Sequence, residues 1–453
     1  MALRQSTHQA DADLFRLELI NMIDLRHELC ALAAKIDWQA LESKFGGLYA
    51  AGVGRPGHPI RLMVGLQLLK YIRNVSDEEI VATWVENPYW QYFCGEQYFR
   101  HDLPIDPSLM TGFRHRIGAE GCEFILALTV QTGLATKTIA ASSLSVVNVD
   151  TTVQEKAVAF PTDAKLLNKA RIKVVRLAKR CGIELRQPYT FKGQEAFVQA
   201  ARYAHARQFN RAAAHTKKLR TMLGRVIRDT ERKAKCMQLS PREQARLTQL
   251  LEIAGRLHSQ PRVRTEGDPP KIYSVHAPEV ECISKGKAHK QYEFGVKVGI
   301  VTTSKESFVL AAKSLPGNPY DGHTLKECLE QAQRTTGIAA TQVFVDRGYK
   351  GHGCNSDTRQ VFISGAKRGI TPSLKRKLKQ RNAIEPVIGH MKEDTRMSRN
   401  LLKGVHGDAI NALLSAAAHN LRKVLTKLRL LCAHWGVSWC ELLIALRAQR
   451  ALA

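Results

Sequence analysis

Two short apolar runs, VVNVD at residues 146–150 and VFVD at residues 343–346, each end in an aspartate. Their β-branched residues predict buried strands, and a carboxylate there is costly to bury unless it is paired, hydrogen-bonded or bound to a metal. If the two strands are neighbours, their acids lie side by side. A divalent cation is the usual neutraliser of such a pair, because hard cations prefer carboxylate oxygen. The chain is thereby constrained to a sheet that joins segments nearly 200 residues apart.

A third acid extends the pattern. Glu385 lies in RNAIEPVIGHMK, with Arg381 four residues before it and Lys392 seven after, so a helix would carry all three on roughly one face. An exposed helix with i,i+4 ion pairing is the plain reading of that segment taken alone. Three carboxylates from two strands and a helix, in a basic chain, are the set that grips two Mg²⁺ ions for in-line displacement at phosphorus.

The charge supports a polyanionic partner. The 453 residues carry a formal net charge of +27, a scale that points to nucleic acid ahead of anionic membrane. Residues 165–235 hold twenty Lys or Arg against four Asp or Glu, an imbalance that repels itself unless phosphates neutralise it. No run of about 18 apolar residues occurs and the first residues lack a signal peptide's apolar core, so a soluble, unexported chain is expected. The ten cysteines contain no C-x-x-C pair and read as buried, reduced thiols. The H-x-H, H-E-x-x-H and G-x-x-x-x-G-K-[ST] patterns of relaxases, zinc peptidases and P-loop ATPases are absent from the sequence.

Periodicity divides the chain. Residues 1–135 read as a helical N-terminal domain for DNA binding or dimerisation, in which Trp84, Trp90, Tyr92 and Phe93 sit at core spacing. Residues 144–162 and 270–432 read as an α/β catalytic domain, with LSVVNVDTTV and QEKAVAF as its first two strands. Between them, 163–262 reads as a basic helical insertion, with a separate helix starting at the capping box of Ser240 and Glu243. TPSLKRKLKQRNAIEPVIGHMKEDTR reads as a helix pair or a helix perturbed at Pro386, and residues 433–453 as a C-terminal helix.

In order and character, VDTTVQEKAVAFPTDAKL, KGKAHKQYEFGVKVGIVTT, LPGNPYDGHTL, FVDRGYKG and RNAIEPVIGHMK resemble the catalytic domain of bacterial DDE transposases, closest to the insertion-sequence-five family. GHPIRLMVGLQLLKYIRNVSDEEIVATWVENPYWQYFCG resembles that family's N-terminal helical domain, so the resemblance spans nearly the whole chain. It implies an RNase H-like core in which Asp150, Asp346 and Glu385 are the catalytic, metal-binding acids. The family signature of tyrosine, arginine, glutamate and lysine is matched by Arg381, Glu385 and Lys392, while Leu378 stands in the tyrosine's place. The 195 residues between Asp150 and Asp346 are long for such a core, and the helical insertion accounts for them.

The implied activity is cutting of transposon ends and their joining to target DNA by two-metal-ion transesterification, with two Mg²⁺ that Mn²⁺ can replace. The implied partners are double-stranded DNA, both terminal inverted repeats and target, and a second copy of the chain as a homodimer. Membrane and small-molecule cofactors have no place in it, and the implied location is the bacterial cytoplasm and nucleoid. Arg381 and Lys392, with Arg347, Lys375, Arg376 and Lys377, are the expected DNA-binding residues. The rival expectation is a catalytically silent, transposase-derived DNA-binding protein, and metal-dependent cleavage separates the two.

Overall fold

The computed structural model describes residues 17–49, 57–261, 267–284, 290–365 and 371–451, with side chains as far as residue 431. The KGKAH stretch at 285–289, Lys367 with Arg368, and the first sixteen residues, on which the signal-peptide reading rests, lie outside these. The chain forms two compact units, one of residues 1–154 with 297–453, the other of residues 155–296.

The first unit opens with seven helices: α1 Leu19–Met22, α2 Glu28–Ala33, α3 Trp38–Gly46, α4 Ile60–Arg73, α5 Asp77–Glu86, α6 Pro88–Phe93 and α7 Ser108–Ala135. α4 is buried on almost every side, as its sequence IRLMVGLQLLKYIR, apolar around the helix, requires. α5 starts at a complete capping box of Ser76 and Glu79. Its Asp77 receives both Arg114 of α7, at 2.6 Å, and Lys70 of α4, at 2.8 Å. That shared carboxylate keeps two nearly inaccessible cations paired. Trp84, Trp90 and Phe93 are buried, so these aromatics build the core. α7 breaks at Gly118, whose φ of +63° lies in the left-handed region where glycine has no Cβ penalty.

β1 runs from Val146 to Glu155. Two expectations change here. Asp150 lies in the middle of the strand, because Thr151, Thr152 and Val153 are β-formers that continue it. QEKAVAF is no second strand: Gln154 and Glu155 finish β1, and AVAF is irregular. The other strands are β2 Glu281–Ser284, β3 Tyr292–Thr303, β4 Val309–Leu315, β5 Gln342–Val345 and β6 Gln360–Ile363.

In the first unit the sheet order is β4-β3-β1-β5-β6. Ser304 N donates to Val146 O at one end of the β1–β3 pair and Lys156 N to Phe294 O at the other, so these two strands are antiparallel. β4 is antiparallel to β3, whereas β5 is parallel to β1 and β6 parallel to β5. This mixed sheet with its covering helices is an RNase H-like α/β core.

α12, Asp321–Thr336, lies against β4 and α7. Gly299 permits its close approach to the sheet, since a Cβ there would overlap the Cys328 thiol. α13 Pro372–Gln380, a 3₁₀ turn Arg381–Ala383 and α14 Ile384–Asp394 follow. The break falls at the 3₁₀ turn; Pro386 sits in the first turn of α14, where its missing N–H has no intrahelical partner to lose.

α15 is one helix from Gly404 to Ala451, so the separate helix expected from residue 433 is its continuation, with no proline to stop it. It packs on α4, α7 and β4. Asn420 uses its side-chain amide as a strand would, accepting from Val309 N and donating to Val309 O, both at 2.8 Å. Gln154 at the end of β1 is held from α15 by Asn411 and by the Asp408 carbonyl, each at 2.9 Å. Such fully partnered buried amides fix register as well as proximity.

The second unit contains α8 Asp163–Arg180, α9 Thr190–His205, α10 Phe209–Ala234 and α11 Pro241–Ser259. Leu166, Val174, Leu219, Leu223, Ala254 and Leu257 form much of its own core. Ser240 and Glu243 make the expected capping box at the start of α11. β2 pairs here with Tyr292–Gly295 of β3, a short strand that its sequence ECIS did not signal.

Candidate functional site

Parallel pairing of β1 with β5 sets the geometry. Val146 faces Gln342, Val147 faces Val343 and Asn148 faces Phe344, a constant offset of 196 residues. Asp150 lies two residues further along β1, and Asp346, at the same offset of 196, is the residue that directly follows the end of β5. Equivalent positions on adjacent parallel strands share a face about 4.8 Å apart. A fully buried valine, Val149 or Val345, directly precedes each aspartate, and both aspartates are themselves half-buried.

The two aspartates are held by local hydrogen bonds. Asp150 Oδ1 accepts from Thr151 N at 2.8 Å, and its Oδ2 lies 3.3 Å from Arg381 Nη1. Asp346 caps the 3₁₀ turn Arg347–Tyr349, accepting from Gly348 N at 2.9 Å. Glu385, two-thirds exposed, lies 3.8 Å from Arg381 Nη2. Arg381, almost completely buried, therefore spans Asp150 of the sheet and Glu385 of α14. The 3₁₀ turn accomplishes this by placing Arg381 just ahead of α14.

A fourth carboxylate, Asp321, was not singled out from the sequence. Its Oδ1 accepts from Thr151 Oγ1 and from Lys297 Nζ, both at 3.0 Å. A Cβ added at Gly348 would meet Asp346 Oδ1 at 3.1 Å and Asp321 Oδ2 at 3.2 Å, so both acids close on that glycine. Tyr349 is fully buried beside them, and among the described residues its hydroxyl has no hydrogen-bond partner. Burial first, then the negative charges of Cys328, Asp150, Asp321 and Asp346, push its phenol well above the usual range. The available signal was YDGHTL, an acid opening a helix directly after β4, where the helix dipole favours it.

The remaining cations are dispersed. Arg347 is exposed and lies over Gly365. Lys375 and Arg376 are exposed on α13, and Lys377 Nζ donates to Gln342 Oε1 at 2.8 Å. Lys392 is two turns along α14 from Glu385. Leu378, in the signature tyrosine's position, is partly buried on α13. Among the described residues no three His, Cys, Asp or Glu side chains converge closely enough to hold a metal ion as they stand. Arg381 occupies the gap between two of the acids instead. No described helix is long and apolar enough to cross a membrane.

Residues 17–116 match a family model described as "Transposase domain (DUF772)", and residues 262–421 match "Transposase DDE domain". The second match contains Asp321, Asp346, Arg381 and Glu385; Asp150 and α8–α11 fall between the two. A Rhizobium meliloti protein described as "Uncharacterized protein ORF8 in nfe locus" is 53% identical over 197 residues, 44% of this chain and 95% of that protein. No solved structure matches. Two transposase matches in chain order, over a helical region and an RNase H-like sheet, place this chain among the DDE transposases of insertion sequences.

Proposed function

We propose that the chain, as a member closest to the insertion-sequence-five group, cuts transposon ends and joins them to target DNA at a site made by Asp150, Asp346 and Glu385. The parallel pairing of β1 with β5, which carries Asp150 on one strand and leads into Asp346 from the other, with Glu385 linked to Asp150 through Arg381, supports the reading. The donors are carboxylate oxygens, which suit hard divalent cations. Arg381, 3.3 Å from Asp150 and 3.8 Å from Glu385, offsets part of the negative charge of these two acids. Asp150, Asp346 and Glu385 would hold two Mg²⁺, or Mn²⁺, which when bound supply Lewis-acid stabilisation of the attacking and leaving oxygens of phosphodiester exchange.

The chain's own residues do the positioning. Thr151, Lys297 and Asp321 fix the direction of β1 beside Asp150, and Gly348 N orients Asp346. Arg381, released from the acids, presents a planar fork to a phosphate, and Lys392 a point charge. Arg347, Lys375, Arg376 and Lys377 contribute further phosphate contacts, and the cations of the helical insertion give backbone affinity with little sequence information. Reading of terminal repeats belongs to the N-terminal helices, and synapsis of two ends to a homodimer.

The test is Asp150→Asn in the full-length protein, assayed with Mg²⁺ on a duplex carrying the repeats that flank the gene. Cutting is expected to fall to background while duplex binding and the circular-dichroism melt are retained. Undiminished cutting refutes the assignment of Asp150. A wild-type protein that binds the duplex but cuts with neither Mg²⁺ nor Mn²⁺ is the silent binder instead.

A further inference from the structure

α10 carries exposed cations at seven-residue spacing: Arg211, Lys218, Arg225 and Arg232. Seven residues are two helical turns with a drift of about 20°, so the four stand in one row, roughly 10.5 Å apart and about 32 Å long. The buried stripe of the same helix, Leu219, Leu223, Val226 and Ile227, lies away from it. The row ends at a cleft of about 510 Å³ lined by Arg186, Tyr189, Arg225, Arg228, Asp229 and Arg232, among others.

The cleft is built rather than incidental. Asp229 accepts from Arg186 N at 2.7 Å and from Arg232 Nη2 at 2.5 Å, tying the loop before α9 to α10. Tyr189 adopts φ +53°, ψ +35°, a conformation that bulky residues rarely take and that persists where the surroundings over-determine it. Its hydroxyl accepts from Arg225 Nη1 at 3.2 Å. Four guanidinium groups thus face one carboxylate. Among the described residues no carboxylate lies within ion-pair distance of Arg186, Arg225 or Arg228.

We infer that the α10 row and this cleft form a track for the sugar–phosphate backbone of duplex DNA, with the cleft seating one phosphate at its end. The inference rests on the reading that the insertion binds DNA, and adds which face does so. Repeated spacing argues for a polymer: a single small anion would need the cleft alone. The row's length is close to one turn of B-DNA, about 34 Å. Arginine forks match phosphate oxygens in pairs, which is why the cleft is arginine-lined while the row tolerates a lysine.

The test measures the salt dependence of full-length protein binding to a short duplex of arbitrary sequence. Three sets of glutamine substitutions are compared: R211Q/K218Q/R225Q/R232Q for the row, R186Q/R228Q for the cleft, and K169Q/R176Q/K179Q/R180Q on α8 as a matched loss of charge. Each phosphate contact contributes roughly 0.9 to the slope of log affinity against log salt, so the row set should lower it by about 3.6 and the cleft set, which serves a single phosphate, by about 0.9. The α8 set should leave it nearly unchanged. Equal losses from the row and α8 sets would reduce the effect to net charge and overturn the track. An unchanged slope in the row set alone would also overturn it, and unchanged slopes in all three would remove DNA binding from the insertion altogether. Binding of a mononucleotide that R186Q/R228Q abolishes, with duplex affinity unmoved, would make the cleft a small-phosphate site and overturn the proposal. R211Q/K218Q, which spares the Asp229 pairing, repeats the row test should the larger set unfold.

Discussion

His419 makes the first unit sensitive to acid by an amount that can be worked out. It lies on α15, 6% exposed, with Nε2 buried and without a hydrogen-bond partner among the described residues. Burial is the main reason its pKa falls from 6.5 to about 3; Lys423, His390 and Arg422 lower it further, and its hydrogen bond to the Ser307 backbone opposes them. The unfolded chain therefore binds a proton that the folded chain refuses. Stability is fully present above pH 6.5 and falls as pH drops toward 3, by about 5 kcal/mol over the whole window at roughly 1.36 kcal/mol per unit. Between pH 7 and pH 5 the loss is about 2 kcal/mol, set chiefly by the unfolded value. His419→Leu removes this titration. Urea unfolding of both proteins at pH 7 and pH 5, in one buffer and without DNA, gives the comparison. The wild type should lose about 2 kcal/mol more than the variant between the two pH values. Equal losses, whatever the variant's stability at pH 7, would refute the reasoning.

Two further predictions concern buried polar groups. Asp77→Ala strands Arg114 and Lys70, whose side chains are 3% and 7% exposed, and should destabilise the protein by about 3–5 kcal/mol in urea unfolding. A loss below about 1 kcal/mol would show that the two cations find water instead. Tyr349→Phe deletes a buried hydroxyl that satisfies nothing, so in chelator-treated protein it should be neutral or stabilising by up to about 1 kcal/mol. A clear loss of stability there would reveal a partner for that hydroxyl.

The sequence made the sheet legible where short-range pattern and long-range pairing agree. β-branched runs mark β1, β3, β4 and β5, and the runs that carry Asp150 and lead into Asp346 form the parallel pair at the sheet's centre, with Asp150 on β1 and Asp346 just past the end of β5. Where the chain's path depends on tertiary partners, local pattern failed. β1 continues through Gln154 because Asn411 and the Asp408 carbonyl hold that amide, and neither contact is visible from composition. One acid at a helix start is common, so sequence alone does not distinguish Asp321; only Thr151, Lys297 and Gly348 converging on it give it a place in the site. The same limit applies to Arg381, whose spacing from Glu385 suggested one helical face. A 3₁₀ turn aims it at Asp150 as well.

The parallel pairing of β1 with β5 has a consequence for biosynthesis. The central strand emerges from the ribosome 196 residues before the one it lies beside, a delay of about 10–40 s at 5–20 residues per second. Through that interval Val147 and Val149 have no β5 to cover them, while α8–α11 can collapse on their own apolar cluster. Nascent chains of this protein should therefore pass through a long stage in which one half is already folded and the catalytic half is still a sticky, unpaired strand.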